Sequence, residues 1–584
     1  MVGQESAERT QPRRTKWVVL GGFATVVALA ALTGAVVRKE PAAGGKTAAK
    51  VVHLEQGWSA ERREEFYYTP QGSQLLPYAF LTALEQPTAA GLFLDPSYIA
   101  ETGFLPAEGR SELNPDGLPI GFVKDPRPGG AFGPAVGLTC AACHTNDIQV
   151  GQTRIRIDGG ASLGDFQMLM ARLSKALDAT LADPAKFQRF AARLKADPRA
   201  VRPALEATAA EIRRIEAAGW TPEPYGRGRL DAFGHILNAV AAEALGQPEN
   251  FRVPDAPVSY PFLWTTPAQR YAQWNGVAGN PLGRNLGEVL GVFGHPSIGN
   301  GTPGSFSSSA LIESLKALET WTAALQPPLW PKELGKVSQM RARRGAKLYA
   351  QYCASCHGGP DYPLTPAADA MGGRQWQAVK MVDLATVKTD PKMLMNFATR
   401  TAQTGILAPA FGGAREVPAR QVLVAMVGNI AENDLRNLAI SGDARLAYYG
   451  WRFAPGSTAP QAGWVGPLAY KAGPLAGVWA TGPFLHNGSV PTVYDLLSPP
   501  EERPKRFYVG HVRYDAKKLG YVSEPDKIPE KERAGLFLFD TGLPGNSNAG
   551  HVFPDPSVAR LSPSERYAII EYLKVLERPH PAGH

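Results

Sequence analysis

The chain has 584 residues, 44% hydrophobic and 20% charged, with a net charge of +8 and a pI near 9.1. That length exceeds one ordinary core, and the composition excludes a disordered chain. The positive charge forms no basic block and no nucleic-acid motif occurs, so a nucleic-acid partner is set aside. The charge is read first as a mixed surface with a mild positive bias, and second as an aid to docking on an acidic partner or an anionic membrane surface.

Residues 17–37, from Trp17 to Val37, contain no charge and come after Arg9, Arg13, Arg14 and Lys16. At 1.5 Å rise per residue this stretch is long enough to span a bilayer. It reads as a retained transmembrane anchor or as an uncleaved or cleaved signal, and either exports the rest of the chain. The expected order is a cytoplasmic tail at 1–16, the anchor at 17–37 and a small, polar tether at 38–60. An N-terminal c-type haem domain at 61–331 and a C-terminal one at 332–584 come next. The fold class expected is mainly α with long loops: two cytochrome c-type haem domains behind an N-terminal transmembrane helix. The 61 glycines and 51 prolines supply the loops.

All four cysteines fall in two copies of one motif, Cys140-Ala141-Ala142-Cys143-His144 and Cys353-Ala354-Ser355-Cys356-His357. CxxCH is the attachment signature of c-type haem. Two cysteines three apart reach the two vinyl groups on one porphyrin edge, and the next histidine sits under the iron. A thioredoxin-like CxxC or a zinc site leaves both following histidines unexplained. Two covalently bound haem c groups are expected, with Cys140, Cys143, Cys353 and Cys356 as attachment points and His144 and His357 as iron ligands. Attachment on the periplasmic side of a bacterial inner membrane places the body of the chain there.

Between the motifs, Phe166, Met170, Leu173, Leu177 and Leu181 follow helical spacing, and 164–217 reads as a helical hairpin. Residues 250–300 are aromatic and loop-rich. A helix over 337–352 leads into the second motif, with Gly345, Leu348, Tyr349 and Tyr352 on one face. The last helix opens with a capping box, Ser562-Pro563-Ser564-Glu565, and presents Ile569, Leu573 and Leu576 on one side. These two helices are the pair that cross in a cytochrome c fold.

From about residue 60 to 580 the chain resembles the di-haem cytochrome c peroxidase superfamily, most strongly in its second half. Thr389-Asp390-Pro391 and Gly482-Pro483-Phe484-Leu485-His486-Asn487-Gly488-Ser489 carry the likeness. Asn546-Ser547-Asn548-Ala549-Gly550-His551 is similar to the rubber-oxygenase branch. The resemblance implies His551 as sixth ligand of the C-terminal haem, with Met371, Met381, Met393 and Met395 as rivals, and His486 orienting groups nearby. Thr481 and Pro483 match positions whose carbonyls bind calcium in the peroxidases, which adds calcium as a candidate cofactor.

The first haem differs. Thr145 to Leu163 contains no histidine or methionine. Its iron is therefore open to oxidant, or His235 or His295 folds back to close it. Gln273-Trp274-Asn275-Gly276 resembles the family's inter-haem element, so Trp274 and Trp264 are candidate electron relays, with packing as the alternative. Arg284, Asn285 and Glu288 are candidate acid–base or peroxide-orienting groups, or a structural cluster.

The resemblance implies hydrogen peroxide reduction at the N-terminal haem, with electrons passed through the C-terminal haem from a small periplasmic cytochrome c or cupredoxin. The alternatives are a dioxygenase using dioxygen to cleave an apolar, rubber-like substrate, and a non-catalytic di-haem electron carrier.

Overall fold

The computed structural model describes residues 50–578 except 360–361, 454–456, 458 and 556–559. The expected tail, the 17–37 anchor and most of the tether lie outside the described residues. Among the described residues no helix is long and apolar enough to cross a membrane. Ala49–His584 forms one compact unit. Ile148, Ile155 and Trp264 share an apolar cluster with Trp479, Phe484 and Ile569, so residues flanking both motifs contribute to one core.

The fold is mixed α and β rather than mainly α, which corrects the expectation. Thr153–Asp158 is the centre of a three-stranded sheet, antiparallel to Thr145–Val150 and parallel to Lys50–His53. Ile155 and Ile157 are spaced by two, face one side and are fully buried, as a half-buried strand requires. Their short β-branched pattern is easily lost beside a haem motif and a long helical stretch. Residues 50–53, expected in the tether, close the edge of this sheet. A second pair, Lys380–Asp383 with Ala469–Ala472, is antiparallel.

The expected hairpin at 164–217 is three helices, Phe166–Ala182, Pro184–Leu194 and Pro198–Ala218. The reason is local. Asp183-Pro184 and Asp197-Pro198 each place a capping carboxylate before a proline at the first helical turn. Proline fixes the turn there and has no N–H to continue a preceding helix.

The helix before the second motif spans Gln339–Tyr352, and the closing helix spans Pro563–Leu573 with its capping box formed. They cross at Gly345, where a Cβ would overlap the Ala568 carbonyl oxygen. Tyr349 and Tyr572 pack at the crossing with ring centroids 5.2 Å apart, a pair worth about 0.5–1.5 kcal/mol beyond burial. Gly345→Ala forces the helices apart and is expected to lose about 1–3 kcal/mol. A lowered denaturant midpoint checks this.

Candidate haem sites

The first motif is a single helical turn, Cys140–Cys143, whose N-cap Thr139 accepts from the Ala141 N–H. The Thr139 hydroxyl donates to the Tyr67 carbonyl at 3.0 Å. Tyr67 in turn donates through its own hydroxyl to Asp158, which also takes Arg63 Nε at 2.6 Å. Asp158 is fully buried. This network ties the motif to the sheet and to the helix Ala60–Tyr68. Gly121, at φ +81°, backs directly onto Ala142, leaving no room for a side chain.

The second motif follows the Gln339–Tyr352 helix after a turn at Cys353 and forms its own helical turn, Ala354–His357, in which the His357 N–H donates to the Cys353 carbonyl at 2.9 Å. In both motifs the histidine is held in the same way. His144 Nδ1 pairs with the Pro261 carbonyl at 2.8 Å and His357 Nδ1 with the Gly473 carbonyl at 2.9 Å. Each ring therefore keeps Nε2 free for a metal, oriented from behind. Burial pulls His144 down to about 4 and also lowers His357, shifting both toward the neutral imidazole that binds metal.

The cysteines are unlike redox thiols. Burial pushes Cys140, Cys143 and Cys353 up to about 12, whereas a redox CxxC lowers its thiol. Among the described residues no group of three or more His, Cys, Asp or Glu is placed to hold a metal ion.

His551 faces His357 with ring centroids 6.1 Å apart. It lies in the left-handed region at φ +47°, and its N–H donates to the Val387 carbonyl at 2.7 Å. Buried Arg503 grips this loop, donating to the carbonyls of Asn548, Gly550 and His551 and, on its other side, to those of Leu496 and Ser498. A cavity of about 200 Å³ holds both histidines, with Cys356, Phe262, Trp274, Val382 and Phe484 among its walls. None of Met371, Met381, Met393 and Met395 lines it. His486 does, but its Nε2 is 2.9 Å from the Tyr470 hydroxyl and its ring stacks on Tyr470 at 4.0 Å. Thr481 and Pro483, the candidate calcium positions, are further parts of this wall.

Among the described residues no such partner faces His144, whose ring neighbour is Tyr260 at 6.3 Å. His235 Nε2 lies 3.3 Å from the Tyr225 hydroxyl and His295 Nε2 3.2 Å from the Gln74 carbonyl. Beside the motif runs the helix Pro281–Gly291. Its Glu288 and Arg284 lie within electrostatic range of Cys140. Gln273 Nε2 donates to Glu288 Oε1 at 2.6 Å, and Arg284 pairs with Glu319, which Asn285 also meets at 3.3 Å. Burial pushes the Glu288 carboxyl above its usual range, against the pull of Arg284.

Trp274 donates from Nε1 to the Ser259 carbonyl at 2.9 Å and lines the His357 cavity. Trp264 is fully buried, donates to the Ala476 carbonyl and stacks on Phe262 at 4.8 Å. The link that sequence reading missed is the segment 259–262. The Pro261 carbonyl holds His144, while Ser259, Tyr260, Pro261 and Phe262 all line the other cavity.

Residues 469–508 match a family described as RoxA-like, cytochrome c-like, and residues 340–421 match cytochrome C oxidase, cbb3-type, subunit III. The chain is 34% identical over 592 residues to the uncharacterized protein y4iJ of Sinorhizobium fredii, covering 90% of this chain and 93% of that relative. It belongs to a di-haem cytochrome c family related to the rubber oxygenases. A second relative, the uncharacterized protein y4iM of the same organism, is 26% identical over 329 residues, 54% of this chain and 63% of its own length. The cytochrome c domains mark this family member as a haem c oxidoreductase.

The residues present fit covalently bound haem c. With metal–nitrogen bonds of about 2 Å, two axial imidazoles on one metal have centroids about 6 Å apart, the spacing found between His357 and His551. At the first motif, buried Gly287 has nothing within 4 Å of where a Cβ would stand, which leaves open space on the helix carrying Glu288.

Asp158→Ala strands a buried guanidinium and removes the anchor of Tyr67. A loss of about 3–5 kcal/mol is expected, read as a lowered denaturation midpoint of the holoprotein.

Proposed function

We propose that this protein is a di-haem peroxidase-like oxidoreductase with two unequal haem c groups. Cys140, Cys143 and His144 would hold the haem at which hydrogen peroxide is reduced. Cys353 and Cys356, with His357 and His551, would hold the haem that supplies it with electrons. The observation that carries peroxide chemistry is the Gln273–Glu288–Arg284 group beside the first motif, an acid–base carboxyl with a cation next to it.

Bound haem c supplies one-electron iron chemistry. The chain supplies the rest. Gln273 occupies Glu288 Oε1 and leaves Oε2 to carry a proton to the departing oxygen. The Arg284 cation favours negative charge developing on that oxygen. Peroxide takes two electrons and two protons and leaves as two waters. The electron donor is a small periplasmic cytochrome c or cupredoxin, and the body of the chain works on the periplasmic side of the inner membrane. Support for this location comes from haem attachment chemistry and the 17–37 segment. Trp274, bonded to the Ser259 carbonyl, and the 259–262 segment, which touches both histidine sites, are the route assigned to electrons.

A second reading, oxygenative cleavage of an apolar substrate, is favoured by the RoxA-like match and by a cavity of about 350 Å³ with Leu75, Phe166, Leu290 and Phe293 in its walls. Oxygen uptake with polyisoprene and no peroxide turnover would select it. Two low-spin haems in every redox state would select the electron carrier.

Two variants test the leading reading. Glu288→Gln is expected to slow peroxide turnover by about 10²-fold or more while both haems stay attached; unchanged turnover removes Glu288 from the chemistry. His551→Ala is expected to convert the low-spin ferric EPR signal of one haem to high spin. A signal left as it was would give the sixth position to another side chain.

A further inference from the structure

Three cations meet in the interior between these two sites. The Lys471 ammonium donates to Gln269 Oε1 at 2.6 Å, and Lys471 is one of the residues lining the His357–His551 cavity. The Gln269 carbonyl accepts Arg452 Nη1 at 2.5 Å, and Arg452 also donates to the Pro267 carbonyl. Arg452 is only 3% exposed. Arg284, on the helix beside Cys140, is within electrostatic range of both Lys471 and Arg452.

The neighbouring carboxylates are already committed. Glu319 pairs with Arg284, and Glu288 is held by Gln273. Glu319 also lies within range of Arg452, but among the described residues neither Lys471 nor Arg452 forms an ion pair. Lys471 has one polar partner, a neutral amide, and two guanidinium groups for neighbours. Burial and that repulsion pull it down to about 7. A desolvated ammonium placed so is unfavourable unless an anion joins it. The open side of Lys471 is the cavity, so the anion enters there.

We propose that Lys471, backed by Arg452 through Gln269, is a carboxylate site filled by a propionate of the haem between His357 and His551. The assignment rests on that haem being bound as proposed above. The cluster then has a redox consequence. A fixed positive charge at the haem edge favours the reduced state and raises its potential, while one side of the charge is neutralised. A free carboxylate is the rival source. It has a route, because Arg452 and Glu319 also line an outer cavity of about 330 Å³.

The test uses the full-length holoprotein and its Lys471→Gln and Lys471→Arg variants. Haem content is measured first; fewer than two haems in the wild type overturns the functional reading and with it this site. With two haems present, Lys471→Gln is expected to lower the midpoint potential of the low-spin haem and to shift a propionate bending band in resonance Raman. Lys471→Arg is expected to restore both. Unchanged potential and band in Lys471→Gln overturn the proposal. So does a saturable response of the wild-type potential to added acetate that Lys471→Gln abolishes, since the site would then take exogenous carboxylate. Should Lys471→Gln fail to accumulate, Arg452→Gln is read by the same two signals.

Discussion

The hydrogen bond between His144 Nδ1 and the Pro261 carbonyl is the constraint on which the arrangement depends. It fixes the ring of the first motif from behind and leaves Nε2 free. The same short segment, Ser259 to Phe262, forms part of the wall of the cavity holding His357 and His551. One stretch of backbone thus sets the orientation of one site and the boundary of the other. Any shift of Pro261 is felt at both. Ser259 is held by the His486 carbonyl at its N–H and by Trp274 at its own carbonyl, which makes the segment stiff.

The two histidines of the CxxCH motifs share one device, a backbone carbonyl on Nδ1, yet their surroundings diverge. His357 looks across an apolar cavity at the His551 imidazole, and Arg503 clamps the loop that presents it. His144 has a tyrosine for a ring neighbour and a polar helix, with Arg284 and Glu288, alongside. The difference arises from the path of the chain beyond each motif. After His144 the chain enters the Thr145–Val150 strand and is committed to the sheet. After His357 it turns at Gly358, φ +65°, and runs through loops, short elements and the long helix Ala419–Asn437 before His551 returns beside it.

Electrostatics give the interior its second theme. Lys471 and Arg452 on one side, and Arg503, held by backbone carbonyls, on the other, form no ion pair among the described residues. Carbonyl dipoles satisfy a guanidinium's hydrogen bonds without cancelling its charge. Such residues leave a positive field inside the protein, which an anionic cofactor edge complements.

The sequence by itself determined both attachment motifs, because covalent spacing is local: two cysteines three apart and the next histidine need no tertiary partner to be recognised. It also determined the helix before the second motif and the capped closing helix, since capping and helical periodicity act within a few residues. The packing at Gly345 was legible as a small residue on an apolar face. Only the tertiary structure decided the features that depend on residues far apart in the chain. The 6.1 Å approach of His357 and His551 is such a case, as are the Pro261 carbonyl behind His144 and the two cations, Lys471 and Arg452, that meet at Gln269. The sheet behind the first motif escaped the sequence reading because its strands are short and its alternation is brief. Lys471 carries a faint signal, a lone charge between Tyr470 and the apolar run after it. Arg503 carries none, because its partners are backbone carbonyls, and a carbonyl has no letter in the sequence.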